Sequence, residues 1–215
     1  MRILLIDGHP DSDRLSAHLI DHYAINCPTD AKIDRIAIRD ITFNPILKKG
    51  YAVRQVWEPE LVEVARLRDA CDHVVFAFPM WWGAEPALLK GFIDRLLVPH
   101  FAFRYREKGE LWDRLLGGRS ADALVSMDTP SPFMRFVYHN AIVHRWKGQI
   151  FDFCGFKPAR FEIFAPVRKG KADAKMPKWL ERVAKLAHSI PSARGVKQSH
   201  LEAFLAYGSN RLESP

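Results

Sequence analysis

Cysteine is scarce in this chain. Cys27, Cys71 and Cys154 are the only three in 215 residues, an odd number set far apart, with no CxxC pair. That spacing excludes a disulfide framework and a structural zinc site, and it fits a reducing, cytoplasmic setting. Long apolar runs are missing too: the opening stretch Met1 to Asp7 ends in an acid, well short of a signal segment or a membrane span. The GxGxxG fingerprint of dehydrogenases and the GxxxxGKS or GxxxxGKT loop of NTPases do not occur, nor does the GxSxG elbow of serine hydrolases. Asp7 stands alone where a receiver domain needs an acidic cluster. His18 and His22 lie four apart on one expected helix but lack a third ligand, so no metal is expected. The net charge of +7 comes from Lys and Arg scattered along the chain, with Arg168-Lys169-Gly170-Lys171 as the one local knot. Without an RNA-binding aromatic signature or zinc-finger spacing, this balance points away from nucleic acid and to peripheral membrane contact at most.

What is present alternates between strand and helix patterns. Arg2 to Asp7, Lys32 to Ile38, Asp72 to Phe78, Ser120 to Met127 and Ala159 to Ala165 read as strands. Helical spacing covers Arg14 to Ile25, Glu58 to Ala70, Pro86 to Leu97, most of Pro132 to Phe153, and Asp173 to Ile190. Five strands with helices between them predict a doubly wound, five-stranded parallel sheet of the α/β class, covered by helices on both faces. Residues 1–190 form this domain. Residues 191–215 are a tail rich in Ser, Gly and Pro around one apolar stretch, Leu201 to Tyr207, either loose or docked on a partner subunit.

Two segments carry chemistry. Phe76 to Pro86 runs an apolar strand straight into Pro79, Met80, Trp81, Trp82 and Gly83, two indoles at the carboxyl end of a strand, where open α/β sheets bind ligands. Such a loop suits a planar ring held by stacking and backbone amides, or else a hydrophobic plug or dimer contact. The first strand ends in Asp7-Gly8-His9-Pro10-Asp11-Ser12-Asp13-Arg14-Leu15-Ser16 and opens a helix, a place suited to phosphate, with His9, Ser12, Arg14 and Ser16 as side-chain donors. The same residues also read as an ordinary polar cap with Asp13 at the N-cap.

His9-Pro10, Phe43-Asn44-Pro45-Ile46, Phe78-Pro79-Met80-Trp81-Trp82-Gly83, Pro86-Ala87-Leu88-Leu89-Lys90-Gly91, Phe101-Ala102-Phe103 and Phe153-Cys154-Gly155-Phe156 follow one another in order. Together they resemble the NAD(P)H:quinone oxidoreductase family of flavodoxin-like flavoproteins, over most of residues 1–165, in a bacterial-type branch. The resemblance implies FMN or FAD as cofactor, NADH or NADPH as donor, a quinone-like acceptor, and a homodimer with the flavin pocket at the subunit interface. It puts His9, Leu15 and Ser16 at the flavin phosphates, Pro79 to Gly83 along the isoalloxazine, Asp128 and Thr129 at its far edge, and Phe103 and Tyr105 over the nicotinamide and quinone. Tyr105, Tyr138 and His139 are the candidate proton donors. Two departures stand out. Arg14-Leu15-Ser16 replaces the family's Ser or Thr followed by Phe-Asn, and Asp128-Thr129-Pro130 replaces Thr-Gly-Gly, where Pro130 supplies no amide. Some relatives are ancillary subunits of membrane transporters, and an electron carrier without nicotinamide chemistry is the other alternative.

Overall fold

A computed structural model describes residues 1–168, 170–193 and 195–209; Lys169 of the basic knot and the end of the tail, 210–215, lie outside it. Along the chain the strands are β1 (Arg2–Asp7), β2 (Lys32–Ala37), β3 (His73–Pro79), β4 (Phe103–Tyr105), β5 (Trp112–Arg114), β6 (Ser120–Ser126) and β7 (Ala159–Phe164). The helices are α1 (Leu15–Ile25), α2 (Pro59–Ala70), α3 (Ala87–Leu96), α4 (Ser131–Phe136), α5 (Ala141–His144), α6 (Lys171–His188) and α7 (Leu201–Ser209). Beyond α5 the helix widens to π geometry over Arg145–Asp152.

The central sheet is parallel throughout, in the order β2-β1-β3-β6-β7. Its inner strands are near-continuous apolar runs because helices cover both faces, whereas the edge strand β2, Lys-Ile-Asp-Arg-Ile-Ala, keeps its charges at the margin. One face packs Leu19, Ile20 and Tyr23 of α1 with Trp179 and Val183 of α6. The other packs Leu61 and Val64 of α2, Leu89 and Phe92 of α3, and Trp146 and Phe151 of the π segment. On that second face the loop after β2 lies on α3 at Gly91, where a Cβ would come within 2.4 Å of Pro45. Only glycine admits so close an approach.

A buried polar network crosses the α1 face. Tyr23 donates to Asp122 (2.8 Å), His73 bonds Ser120 (2.8 Å), and Arg160 holds Asp122 through two bonds of 2.7 and 2.5 Å. Arg160 also reaches the last carbonyls of α6 at Leu186 and Ser189, so the charge that balances Asp122 caps a helix as well. The thiols are all free: Cys71 and Cys154 are buried and Cys27 is half-buried.

The structure departs from the sequence expectations in three places. Residues 132–153 are not one helix: the chain breaks after α4, and His139 and Asn140 take left-handed backbone angles (φ 49° and 53°). Residues 103–114 form the β4–β5 hairpin instead of a plain loop. The apolar stretch of the tail packs on its own chain, with Leu201 and Phe204 buried and Phe204 set between Trp57 and Phe101 under the Arg54 guanidinium. Phe204→Ala is expected to destabilise the chain by about 3 kcal/mol, read from urea unfolding, because it removes a ring from that cluster. A loss within error of zero would mean that the tail does not pack there in solution.

Candidate flavin site at the carboxyl edge of the sheet

The register aligns Asp7 with Ala77 and Pro79 with Ser126, so the loops after β1, β3 and β6 leave the sheet side by side. Strand order reverses between β1 and β3, which makes their carboxyl ends the crevice of a doubly wound sheet. Gly8 N–H donates to Ala77 O (2.8 Å) and Met80 N–H to Ser126 O (2.7 Å), tying the three loops to one another.

The β1–α1 loop is pinned from below. Asp7, buried, accepts from Arg39 (2.6 Å) and from His9 N–H (3.1 Å), and Arg39 reaches on toward the carbonyls of His9 and Asp11. His9 Nδ1 accepts from Asp11 N–H (2.9 Å), which leaves its proton on Nε2. Burial, with Arg14 adding to it, pushes the His9 pKa below its ordinary value despite Asp7 and Asp11. Arg14 is at the N-cap of α1, and Asp13 is in the left-handed region (φ 53°) with no capping bond. The alternative reading of this segment, a polar cap with Asp13 at the N-cap, is therefore not realised. Arg14 turns onto Asp11 through its Nε (2.7 Å) and a second, shorter contact.

The first helical bond of α1 runs from His18 N–H to Arg14 O, so the amides of Leu15, Ser16 and Ala17 have no helical acceptor. Beside them the Ser16 hydroxyl is buried without any hydrogen-bond partner among the described residues. A buried orphan hydroxyl costs about 1–3 kcal/mol unless something completes it. Together with these amides and Arg14, it fits the phosphate of a bound cofactor.

Above this end stands the aromatic turn. Trp81 and Ala84 exchange backbone bonds (2.8 and 3.0 Å), with Trp82 (φ 50°) and Gly83 (φ 79°) as the two central residues. Left-handed angles suit glycine but cost a bulky residue about 1–3 kcal/mol, and strain of that kind gathers at ligand clamps. The turn leaves Trp82 fully exposed and Trp81 46% exposed, and the Trp81 ring stands edge-on to His9 at 5.4 Å.

Glu85 holds this turn in place. Its buried carboxylate takes two bonds from Arg145, one of them 2.6 Å, and a third from the Trp146 indole (3.1 Å), while the Trp146 ring stacks on Phe78 of β3. Burial by itself raises the Glu85 pKa, but the Arg145 and Trp146 bonds and the Arg145 charge outweigh it and hold the carboxyl below the ordinary glutamate value. The sequence offered a signal for Glu85 that was not taken up: one charged residue in an otherwise apolar stretch, directly before a helix-opening proline.

The remaining candidates separate into groups. Asp128 follows β6 and pairs with Arg168 (3.0 Å), Thr129 is half-buried beside it, and Pro130 occupies the N-cap of α4. Ser12 is exposed, its amide bonded to Asp11, and Leu15 is half-buried. Tyr138 and His139 lie on the exposed turn between α4 and α5, not on a helix, and Tyr138 neighbours Phe133. Phe103 and Tyr105 sit on the hairpin, with each other, Tyr51 and Phe153 as ring partners, so no ring contact joins them to Trp81 or Trp82 among the described residues.

With this geometry in hand, the comparisons with known proteins are informative. A family model for the flavodoxin-like fold matches residues 1–187. A Haemophilus influenzae protein described as an uncharacterized NAD(P)H oxidoreductase is 24% identical over 173 residues, covering 78% of this chain and 85% of the relative. An FMN-dependent NADH:quinone oxidoreductase of Macrococcus caseolyticus is 30% identical over 131 residues, covering 50% of this chain and 61% of that enzyme, less than two thirds of its length. The crystal structure of Smu.1420 from Streptococcus mutans is 29% identical, with a TM-score of 0.73 over 88% of this chain and 100% of that one.

The Glu85 clamp makes a prediction with a definite pH sign. Because its folded pKa is depressed, its contribution to stability is complete above the ordinary glutamate value and is lost as pH falls through the folded one. Glu85→Gln should cost about 2 kcal/mol at neutral pH, a breakage softened by the partial exposure of Arg145, and flatten the acid limb of stability against pH. An unchanged acid limb would show that the carboxylate is not clamped.

Proposed function

The chain belongs to the flavodoxin-like fold family, and from that premise we propose that it is a flavin-dependent NAD(P)H oxidoreductase reducing quinones or related electrophilic aromatics. The observation that carries this reading is the β1–α1 loop, which sets His9 edge-on to the Trp81 indole and runs on into the orphan Ser16 hydroxyl and the open amides of α1. The M. caseolyticus relative, whose name states FMN and a quinone, supports the cofactor and acceptor class.

A flavin held here would supply the redox chemistry, two-electron transfer between a nicotinamide donor and an acceptor. The protein's own part is placement. Leu15, Ser16 and Arg14 hold the phosphate, with Ser12 and the neutral His9 at its margin. Pro79, Met80, Trp81, Trp82 and Gly83 form the wall along the ring system, and their rigid turn keeps the indoles from collapsing onto the apolar surface behind them. Asp128 and Thr129 close the far edge. The ring wall also excludes water, which strengthens every fixed dipole in the slot.

Tyr138 and His139, on the exposed turn, remain the candidates to give protons to a reduced acceptor. Phe103 and Tyr105 are on the hairpin, apart from their own chain's indoles. Phe103 is buried in the core, whereas Tyr105 is exposed and serves a site only across an interface, which accords with a homodimer in which each hairpin covers the partner's crevice. The exposed Phe133, Phe136 and Val137 near α4 supply apolar surface for such a contact. No helix among the described residues is long and apolar enough to cross a membrane.

The deciding experiment is anaerobic addition of NADH or NADPH to the protein loaded with FMN or FAD. Bleaching of the visible flavin band is expected, and the nucleotide that bleaches it is the donor. A band that stays oxidised under both would return the protein to an electron carrier or an ancillary subunit. Trp81→Ala and Trp82→Ala should each weaken flavin retention about fivefold to tenfold in equilibrium dialysis, the scale of one lost aromatic contact. Full retention in both would remove the indoles from the ring site.

A further inference from the structure

At the amino edge of the same sheet the chain encloses a second concavity, of a different chemical character. The β4–β5 hairpin, the turn that leads into β6 and the segment 196–200 surround a cavity of about 490 Å³, lined by Arg104, Arg106 and Arg114 with Asp113 as the only acid among the described residues. Lys197, beside it, bonds Ala70 O and Asp72 at the entrance of β3. The seven residues of β6, about 20 Å of strand, separate this end from the indoles.

Asp113 accepts from both Arg104 (2.9 Å) and Arg106 (2.8 Å), and Arg114 reaches Asp152 only at 3.3 Å. Each guanidinium carries five donors, so one carboxylate shared between two of them orients the pair without exhausting it. A second observation comes from behind the wall. Arg68 and Arg119 are buried side by side, and Arg119 bonds Asp69 O (2.6 Å) and Gln198 O (3.1 Å) but leaves its Nε unpartnered. Arg68 lies over the Phe101 ring (3.8 Å) and 3.5 Å from Asp69, and none of its three nitrogens has a hydrogen-bond partner among the described residues. Burial first, then Arg119, pushes the Arg68 pKa down to about 9. His200, on the cavity wall, stands within the field of Asp69, Arg119, Arg68 and Arg104. Five guanidinium groups at one end of a sheet thus face Asp69, Asp72, Asp113 and Asp152, of which Asp72 is also shared with Lys197 and Asp152 with Lys157. Arg68 and Arg119 are buried while Arg104, Arg106 and Arg114 are exposed at the cavity, and a concavity with this excess of positive charge attracts an anion.

We propose that this cavity is a second binding site, for a small soluble ligand bearing a phosphoryl or polyphosphate group, taken by the Arg104–Arg106 fork. Its volume is that of a small-molecule site, and its concave shape suits a compact ligand better than the headgroups of a flat bilayer. Two guanidinium forks held by one carboxylate match the oxygens of a phosphoryl group in the way a lysine pair does not. Part of the wall is the tail: Val196, Gln198 and His200 line the cavity, and Lys197 lies on Gly118 (φ 74°), where a Cβ would come within 2.1 Å of the Lys197 amide. Occupancy therefore ties the C-terminal segment to the hairpin that carries Tyr105.

Calorimetric titration of the full chain with pyrophosphate tests this directly. Arg104→Gln/Arg106→Gln should weaken binding by about tenfold or more, the scale of lost charged hydrogen bonds, with a smaller loss in Arg104→Lys/Arg106→Lys, which keeps the charge and the Asp113 pair. Lys185→Gln, on the exposed side of α6, should leave the affinity unchanged, and FMN added beforehand to fill the α1 entrance should leave it unchanged too. Pyrophosphate should also slow tryptic cleavage after Lys197 in the parent chain and not in the double Gln variant. No heat of binding, a loss in Lys185→Gln or on prior addition of FMN but not in the double variants, or binding to vesicles of anionic phospholipid without any to pyrophosphate would each overturn the proposal.

Discussion

One carboxylate buried out of reach of water sets the shape of the carboxyl edge. Glu85 has to find its compensation inside the protein, because an uncompensated charge at that depth is untenable. It finds it in two consecutive residues, Arg145 and Trp146, from a different element. Neighbouring side chains on a regular α-helix diverge by about 100°, and this is where the helix widens to π geometry. The clamp thus couples a tight turn after β3 to an irregular helix before β7, and Trp146, held by the same carboxylate, is the largest fully buried side chain of the second face. Site and core share one anchor.

The sheet was legible because burial on both faces leaves little freedom of composition: Ile3 to Ile6 and Val74 to Phe78 can be little else. The helices next to it were legible for the related reason that their inner faces repeat. Where apolar residues face solvent instead, periodicity misleads. Phe133, Phe136, Val137 and Tyr138 read as one stripe of a long helix, yet they are exposed on a short helix and a left-handed turn. The β4–β5 hairpin has strands of three residues and little apolar alternation, so its pairing is a tertiary fact, visible only once Phe153 and Trp112 stack. The same holds for Phe204, whose apolar character was plain and whose partner, Trp57, was not.

Within the site the division is similar. The indoles, His9 and the α1 entrance could be read from local sequence, since an aromatic turn and a helix start are local objects. Arg39, Glu85 and Arg145 could not, because their importance lies in what they meet across the fold. The alternative reading, an Asp13 cap, failed for a local reason that composition hides: Asp11, two residues earlier, already takes Arg14 and the Ser12 amide, and Asp13 is left in the left-handed region where its side chain caps nothing.

The three free cysteines gain a meaning from this setting. Burial raises their thiol pKa values, to about 11 for Cys27 and Cys71 and about 12 for Cys154, so almost no thiolate exists at neutral pH. Thiolates are the groups that electrophilic aromatics alkylate. On the proposed function, a chain that hands electrons to such molecules is thereby spared from being consumed by them: its substrates are offered a reductant and denied a nucleophile.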